Sequence, residues 1–106
     1  MTLTVEVLYF DGCSNVRAAM DRLETALQEY GLDWTMSQTL VSDPRAATAV
    51  RFLGSPTMRI NGVDIEPSAR QRTDFGIMCR TYDGSGGVPP EDMIRSAIAT
   101  AMAASR

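Results

Sequence analysis

Residues 3–31, LTVEVLYFDGCSNVRAAMDRLETALQEYG, contain a change of hydrophobic period that decides the fold. Residues 3–10 are an apolar run of β-branched, aliphatic and aromatic side chains ended by Asp11-Gly12, which predicts a buried strand. From Cys13 to Tyr30 the apolar residues repeat with the period of a helix, and Gly31 supplies the usual C-terminal stop. The expected buried face of this helix consists of Val16, Ala19, Met20, Leu23, Ala26 and Leu27.

The rest of the chain predicts the remaining elements of one α/β domain over residues 1–106. Pro44 after Ser42-Asp43 marks a helix start, and Asn61-Gly62 is a two-residue hairpin turn. The expected elements are a strand over 32–41, a short helix over 44–53, hairpin strands over 57–60 and 63–65, and a last helix opening at 89–92.

The predicted order is β-α-β-α-β-β-α, a four-stranded mixed sheet with three helices. A strand joined to the next through a helix is expected to lie parallel to it, with a right-handed connection. Residues 66–88 fit no element clearly, and within them residues 77–82 form either a short strand or an irregular flap.

Composition excludes several function classes. The net charge of −3 provides no basic surface for nucleic acid or anionic lipid. No apolar run is long enough to cross a bilayer, and no basic region opens the N-terminus, so we expect no signal peptide and a cytoplasmic location. The moderate apolar content permits a monomer or a homodimer.

The sequence contains no histidine and only two cysteines. A Ser-His-Asp or Cys-His catalytic arrangement and a histidine zinc site therefore cannot form within the chain. Two cysteines also fall short of a four-thiolate zinc or iron–sulfur site. We expect no cofactor, and chemistry that rests on sulfur, carboxylates or the backbone.

Cys13 stands where the predicted strand meets the predicted helix. Free backbone N–H groups and the helix dipole converge at such a position and favour a nucleophilic thiolate. Arg17 can assist if it points back toward the sulfur, whereas a carboxylate at Asp11 opposes ionisation. Asn15 either donates a hydrogen bond to the sulfur or caps the helix. The alternative is that Cys13 is a small buried apolar residue.

Two motifs, FDGCSNV over residues 10–16 and GSPT over residues 54–57, together resemble those of the thioredoxin/glutaredoxin superfamily. More narrowly, FDGC, FLGSPT and NGVDI resemble segments of small bacterial thioredoxin-like proteins with an incomplete Cys-x-x-Cys motif. The resemblance covers residues 3–66 and the last helix. It implies a thioredoxin-like fold with Cys13 as the reactive thiol and a cis peptide bond before Pro56. It also implies that the backbone of Ser55 receives an extended substrate, with Thr57 bordering the site.

Val16 occupies the position of the second cysteine of that motif, so an exchange within the motif is impossible. Glutathione, a partner protein or Cys79 would have to resolve a mixed disulfide. Cys79 either folds over the Cys13 site or is a core residue on a short strand. Asp64 and Glu66, near the hairpin, are expected to face solvent.

These features predict a thiol-based redox protein that performs thiol–disulfide exchange or deglutathionylation through Cys13. Its substrate would be a thiol or disulfide of a protein or of glutathione. One alternative is a non-catalytic binding module that keeps the groove. A second is a soft-metal site, for mercury or another thiophilic ion, made by Cys13 and Cys79.

Overall fold

The protein forms one four-stranded mixed sheet, seen in a computed structural model that describes residues 2–104. Its strands are β1 (Thr2–Tyr9), β2 (Asp33–Leu40), β3 (Thr57–Ile60) and β4 (Val63–Asp64), in the spatial order β2-β1-β3-β4. Strands β1 and β2 run parallel, while β3 is antiparallel to both β1 and β4. The predicted α/β class and mixed sheet are confirmed.

Within residues 2–104 the sheet is joined by three α-helices: α1 (Val16–Glu29), α2 (Pro44–Ala49) and α3 (Glu91–Ala104). A 3-10 turn, Pro67–Ala69, follows β4. The predicted order of strands and helices is confirmed. None of the helices in residues 2–104 is both long and apolar enough to cross a membrane.

Helix α1 starts three residues later than expected. Gly12 has a left-handed φ of 85°, and residues 11–15 form turns with Asn15 in the N-cap position. Cys13 therefore lies in the connection before the helix and not in its first turn. Helix α2 likewise ends early, at Ala49, because Arg51 adopts a left-handed φ of 57° and turns the chain away.

The expectation of parallel strands across each helix holds for α1 and is wrong for α2. Helix α2 has six residues and is about 9 Å long. The eight-residue β2 that precedes it is about 26 Å long. Because α2 is too short to carry the chain back along the sheet, β3 starts near the end at which β2 finishes. It therefore runs antiparallel.

The sheet has apolar side chains on both faces because successive strand residues alternate. Odd-numbered residues of β1, among them Val5 and Val7, pack with α1 and α3 in the larger core. Leu8 packs on the other face with Ala47 of α2 and with Phe52. The predicted buried face of α1 is confirmed, with Val16 and Met20 at its half-buried margin.

Residues 66–88 contain no strand beyond isolated bridges, so the interpretation of residues 77–82 as an irregular flap is the better one. The Gly76 N–H donates to the Phe52 carbonyl at 3.0 Å, and the Ser55 N–H donates to the Met78 carbonyl at 2.8 Å. These bonds hold the segment against the residues that lead into β3.

Leu23→Ala is expected to lower the free energy of unfolding by about 2–5 kcal/mol, because it opens a cavity where the Leu23 side chain is fully buried. Denaturant unfolding followed by circular dichroism measures the change. Leu40→Ala is the matched control: Leu40 is 51% exposed, so its truncation should change stability by no more than about 0.5 kcal/mol. Equal losses in the two variants would contradict the assigned core.

Candidate functional site

Cys13 is half-buried, with its sulfur beside the loop that precedes β3. Its Sγ donates a hydrogen bond to the Ser55 carbonyl oxygen at 3.7 Å, and its N–H donates to the Phe10 carbonyl at 3.4 Å. Within residues 2–104 the Ser55 carbonyl is the hydrogen-bond partner of this sulfur. The expected neighbourhood of Cys13 and Ser55 is present, whereas the expected contact with the free amides of α1 is not.

The other residues predicted to act on Cys13 point elsewhere. Arg17 is 90% exposed and pairs with Asp21 at 3.8 Å, one turn further along α1, so it does not reach back to the sulfur. Asn15 makes no side-chain capping bond. Its amide lies against Gly87, where an added Cβ would collide with it. Asp11 is exposed.

The loop that faces Cys13 is fixed and buried. The Ser55–Pro56 bond is cis, as the sequence predicts. Ser55 and Thr57 are fully buried. The Ser55 hydroxyl accepts a hydrogen bond from the Phe10 N–H at 3.3 Å, and the Thr57 hydroxyl donates to the Gly54 carbonyl at 2.6 Å. Because both side chains are inaccessible, the loop contacts Cys13 through the Ser55 carbonyl and not through a hydroxyl.

Residues 78–80, which we call the strap, occupy the backbone of Ser55. The Ser55 N–H donates to the Met78 carbonyl at 2.8 Å, and the Arg80 N–H donates to the Ser55 carbonyl at 3.0 Å. Together the two bonds pair Ser55 with Cys79 as in a parallel sheet. The Ser55 N–H and carbonyl, which the family resemblance assigns to an extended substrate, are thus already hydrogen-bonded to the strap.

Gly54 is required for this close approach. It has a φ of 106°, and a Cβ placed there would lie 2.9 Å from Met78 Cγ and 3.0 Å from Arg80 Cβ. Only a residue without a side chain leaves room for the strap at this point.

The strap is anchored by a buried ion pair that sequence reasoning missed. The Arg80 side chain is 1% exposed, and its two terminal nitrogens each lie 2.8 Å from an oxygen of Asp64. Glu66 approaches the same guanidinium at 3.2 Å. The expectation that Asp64 and Glu66 face solvent is therefore wrong: they are 8% and 4% exposed. Their partner, Arg80, lies 16 residues after Asp64 and 14 residues after Glu66, so no local pattern signals the pairing.

Tyr82 packs against Arg80 at the C-terminal end of the strap. Its ring lies 4.3 Å from the Arg80 guanidinium carbon, and its hydroxyl donates to the Pro56 carbonyl. Burial raises the pKa of Tyr82 above its ordinary value. Burial works against the charge on Arg80, but the hydrogen bond and charge of Asp64 outweigh it and keep the pKa of Arg80 above its ordinary value. Both groups therefore hold their protons at neutral pH.

Cys79 is exposed, although it sits between Met78 and the buried Arg80. The interpretation of Cys79 as a core residue is therefore wrong. It is placed instead against Ser55, the residue whose carbonyl accepts from Cys13. Neither cysteine is in a disulfide. Residues 2–104 contain no cluster of three or more cysteine or acidic side chains arranged to hold a metal ion.

Arg80→Met is expected to lower the free energy of unfolding by about 3–5 kcal/mol, because it leaves Asp64 and Glu66 buried without a counter-charge. Thermal and denaturant unfolding measure the effect. Arg45→Met, at an exposed position of α2, is the control and should leave stability almost unchanged. If both variants unfold like the parent protein, the buried pair does not anchor the strap.

No protein-family model matches this chain, and no curated protein matches it.

Proposed function

We propose that this protein is a thiol-based redox protein of thioredoxin-like fold that reacts with disulfides through Cys13. The support for the fold is the combination of element order, the strand order β2-β1-β3-β4, and a cis proline immediately before β3. Cys13 follows β1 and precedes α1, the position at which the superfamily carries its reactive thiol.

One observation carries the proposal: both cysteines adjoin Ser55, Cys13 through its sulfur and Cys79 through backbone pairing. Cys13 Sγ lies 3.7 Å from the Ser55 carbonyl oxygen, and Cys79 is the residue paired with Ser55 across the strap. Successive residues of an extended segment point to opposite sides, so the exposed Cys79 points away from the side that buries Arg80. In the proposed mechanism Cys79 serves as the second thiol, since Val16 occupies the position of the second motif cysteine.

The chemistry needs only the two thiols and a disulfide substrate. The Cys13 thiolate attacks one sulfur of the substrate, so a mixed disulfide forms and the other half leaves as a thiolate. The Cys79 thiolate then attacks the Cys13 sulfur, releases the second half and closes a Cys13–Cys79 disulfide. The substrate gains two electrons and the protein loses two. A dithiol reductant, which is oxidised to its own cyclic disulfide, returns both cysteines to the reduced form by the same exchange.

The strap favours small disulfides over proteins as substrates. An extended polypeptide would need the Ser55 N–H and carbonyl for strand pairing, and Met78 and Arg80 already use both. A small disulfide needs only access to the half-buried sulfur of Cys13. We therefore propose glutathione disulfide and similar low-molecular-weight disulfides as the substrate class, and glutathionylated thiols as a related one.

Reaction with glutathione disulfide is expected to begin at Cys13. Cys79→Ser should stop at a mixed disulfide between Cys13 and glutathione, because the resolving thiol is missing. The parent protein should instead release both glutathiones and form a Cys13–Cys79 link. Intact mass measurement and peptide mapping after acid quenching distinguish the two products.

Cys13→Ser is the companion variant, in which only the exposed Cys79 remains. It should form no Cys13–Cys79 link, because the proposed nucleophile is missing. Glutathione found on Cys79 while Cys13 stays unmodified would reject Cys13 as the nucleophile. A Cys13 mixed disulfide that persists in the parent protein would reject Cys79 as the resolving thiol.

Gly54→Ala is expected to raise the rate with a protein disulfide relative to glutathione disulfide, because the added Cβ displaces the strap from Ser55. The ratio of the two rates, measured by coupled reduction of insulin and of glutathione disulfide, reports the change. Gly62→Ala is the matched control: it has a similarly left-handed φ of 82° but open space around its Cβ. A ratio that is unchanged, or changed equally by both variants, would mean that the strap does not set the substrate class.

A further inference from the structure

Four of the chain's ten arginines line one cleft. Arg51, Arg59, Arg70 and Arg72 surround a cavity of about 310 Å³ between the end of α2, the β3–β4 hairpin and residues 69–75. Its apolar walls include Leu53 and Phe75. Neither cysteine lines this cleft, which is therefore separate from the proposed redox site.

Two of these guanidinium groups are held in place by the backbone or by a carboxylate. The Arg59 Nη2 donates to the carbonyls of Val50 and Arg51, both at 2.7 Å, and its other terminal nitrogen lies 4.0 Å from Glu6. Arg72 binds Asp74 through two nitrogens, at 2.9 and 2.7 Å. These contacts position the two arginines and neutralise much of their charge.

The other two arginines have no carboxylate partner within residues 2–104. Arg70 donates through Nε to the Asp64 carbonyl at 2.9 Å, which orients the group and leaves its terminal nitrogens unbonded in the described structure. The Arg51 guanidinium lies 5.1 Å from the centre of the Phe75 ring and makes no ion pair there. Asp64 lines the cleft too, but both its oxygens bind Arg80.

The cleft therefore has an excess of about two positive charges in a protein whose net charge is −3. Like charges gathered against apolar walls repel one another, and a bound anion removes that repulsion. Guanidinium groups bind phosphoryl oxygens through paired, charge-assisted hydrogen bonds. A phosphate monoester carries about −1.5 to −2 charges at neutral pH, which matches the excess, whereas a carboxylate carries one.

We propose that this arginine-lined cleft binds the phosphoryl group of a small molecule. A cavity of about 310 Å³ is at the lower end of the range of small-molecule sites, so it accommodates inorganic phosphate or a compact phosphate ester. Arg51 and Arg70 are the ligating residues and supply the positive excess, while Arg59 and Arg72 line the rest of the cleft.

Titration of the isotope-labelled protein with inorganic phosphate, phenyl phosphate and acetate at constant ionic strength tests the site. Both phosphates should give saturable amide shifts at residues 51, 59–63 and 69–75, and acetate should give far weaker ones. Equal affinity for the two phosphates identifies the phosphoryl group alone as the ligand, while tighter binding of phenyl phosphate identifies an ester. Shifts that grow linearly without saturation, or acetate binding as tight as phosphate binding, would overturn the proposal.

The double variant Arg51→Gln/Arg70→Gln should weaken phosphate binding by at least about tenfold, because it removes two charge-assisted contacts. Arg17→Gln, on the exposed side of α1, is the matched control and should bind like the parent protein. Both Arg51 and Arg70 are exposed, so the double variant should keep its unfolding midpoint. Equal weakening in the control and the double variant would show non-specific attraction. Cys13→Ser should bind phosphate normally, which separates this test from that of the redox proposal.

Discussion

The buried charge of Arg80 is the constraint on which the rest of the site depends. An isolated guanidinium in the interior would be strongly unfavourable, so the chain must bring acidic groups to it. Asp64 from the edge strand binds it through both oxygens, Glu66 lies at 3.2 Å, and the Tyr82 ring covers the group at 4.3 Å. The partners come from the edge hairpin and from the irregular segment. Satisfying this one charge therefore docks that segment against the sheet.

That docking determines what surrounds Cys13. With Arg80 anchored, its own N–H and the Met78 carbonyl fall on the two backbone groups of Ser55, and Gly54 leaves the space for them. Cys79 then stands beside Ser55, whose carbonyl also meets the Cys13 sulfur. The proposed second thiol is thus supplied by a structural anchor, while the same anchor blocks strand addition by a polypeptide. Substrate preference and resolving thiol both follow, in the proposed mechanism, from where one ion pair holds the chain.

The distribution of arginine side chains separates two kinds of role. Arg80 is inaccessible and binds Asp64 and Glu66 through its terminal nitrogens, and Arg59 ties the end of α2 to the sheet through carbonyl contacts. Arg51 and Arg70 have no acidic partner within the described part of the chain and line the same cleft. Because the protein has no lysine or histidine, arginine is its only cationic side chain, both for internal ion pairs and for the proposed anion site. The pairing of each guanidinium shows which role it fills.

The amino-acid sequence by itself determined the order of strands and helices, the buried face of α1, the hairpin at Asn61-Gly62 and the proline loop, because each follows from a local period or turn residue. The resemblance of two motifs to the thioredoxin/glutaredoxin superfamily also predicted that Cys13 and Pro56 lie in one site. Only the tertiary structure decided the direction of β3, the burial of Asp64 and Glu66, the orientation of Arg17 and the place of Cys79. Those features depend on helix length and on contacts between residues distant in the chain. Asp64 and Glu66 are buried because Arg80, which lies far along the chain, pairs with them. The residues next to Asp64 and Glu66 in the sequence do not reveal that partner.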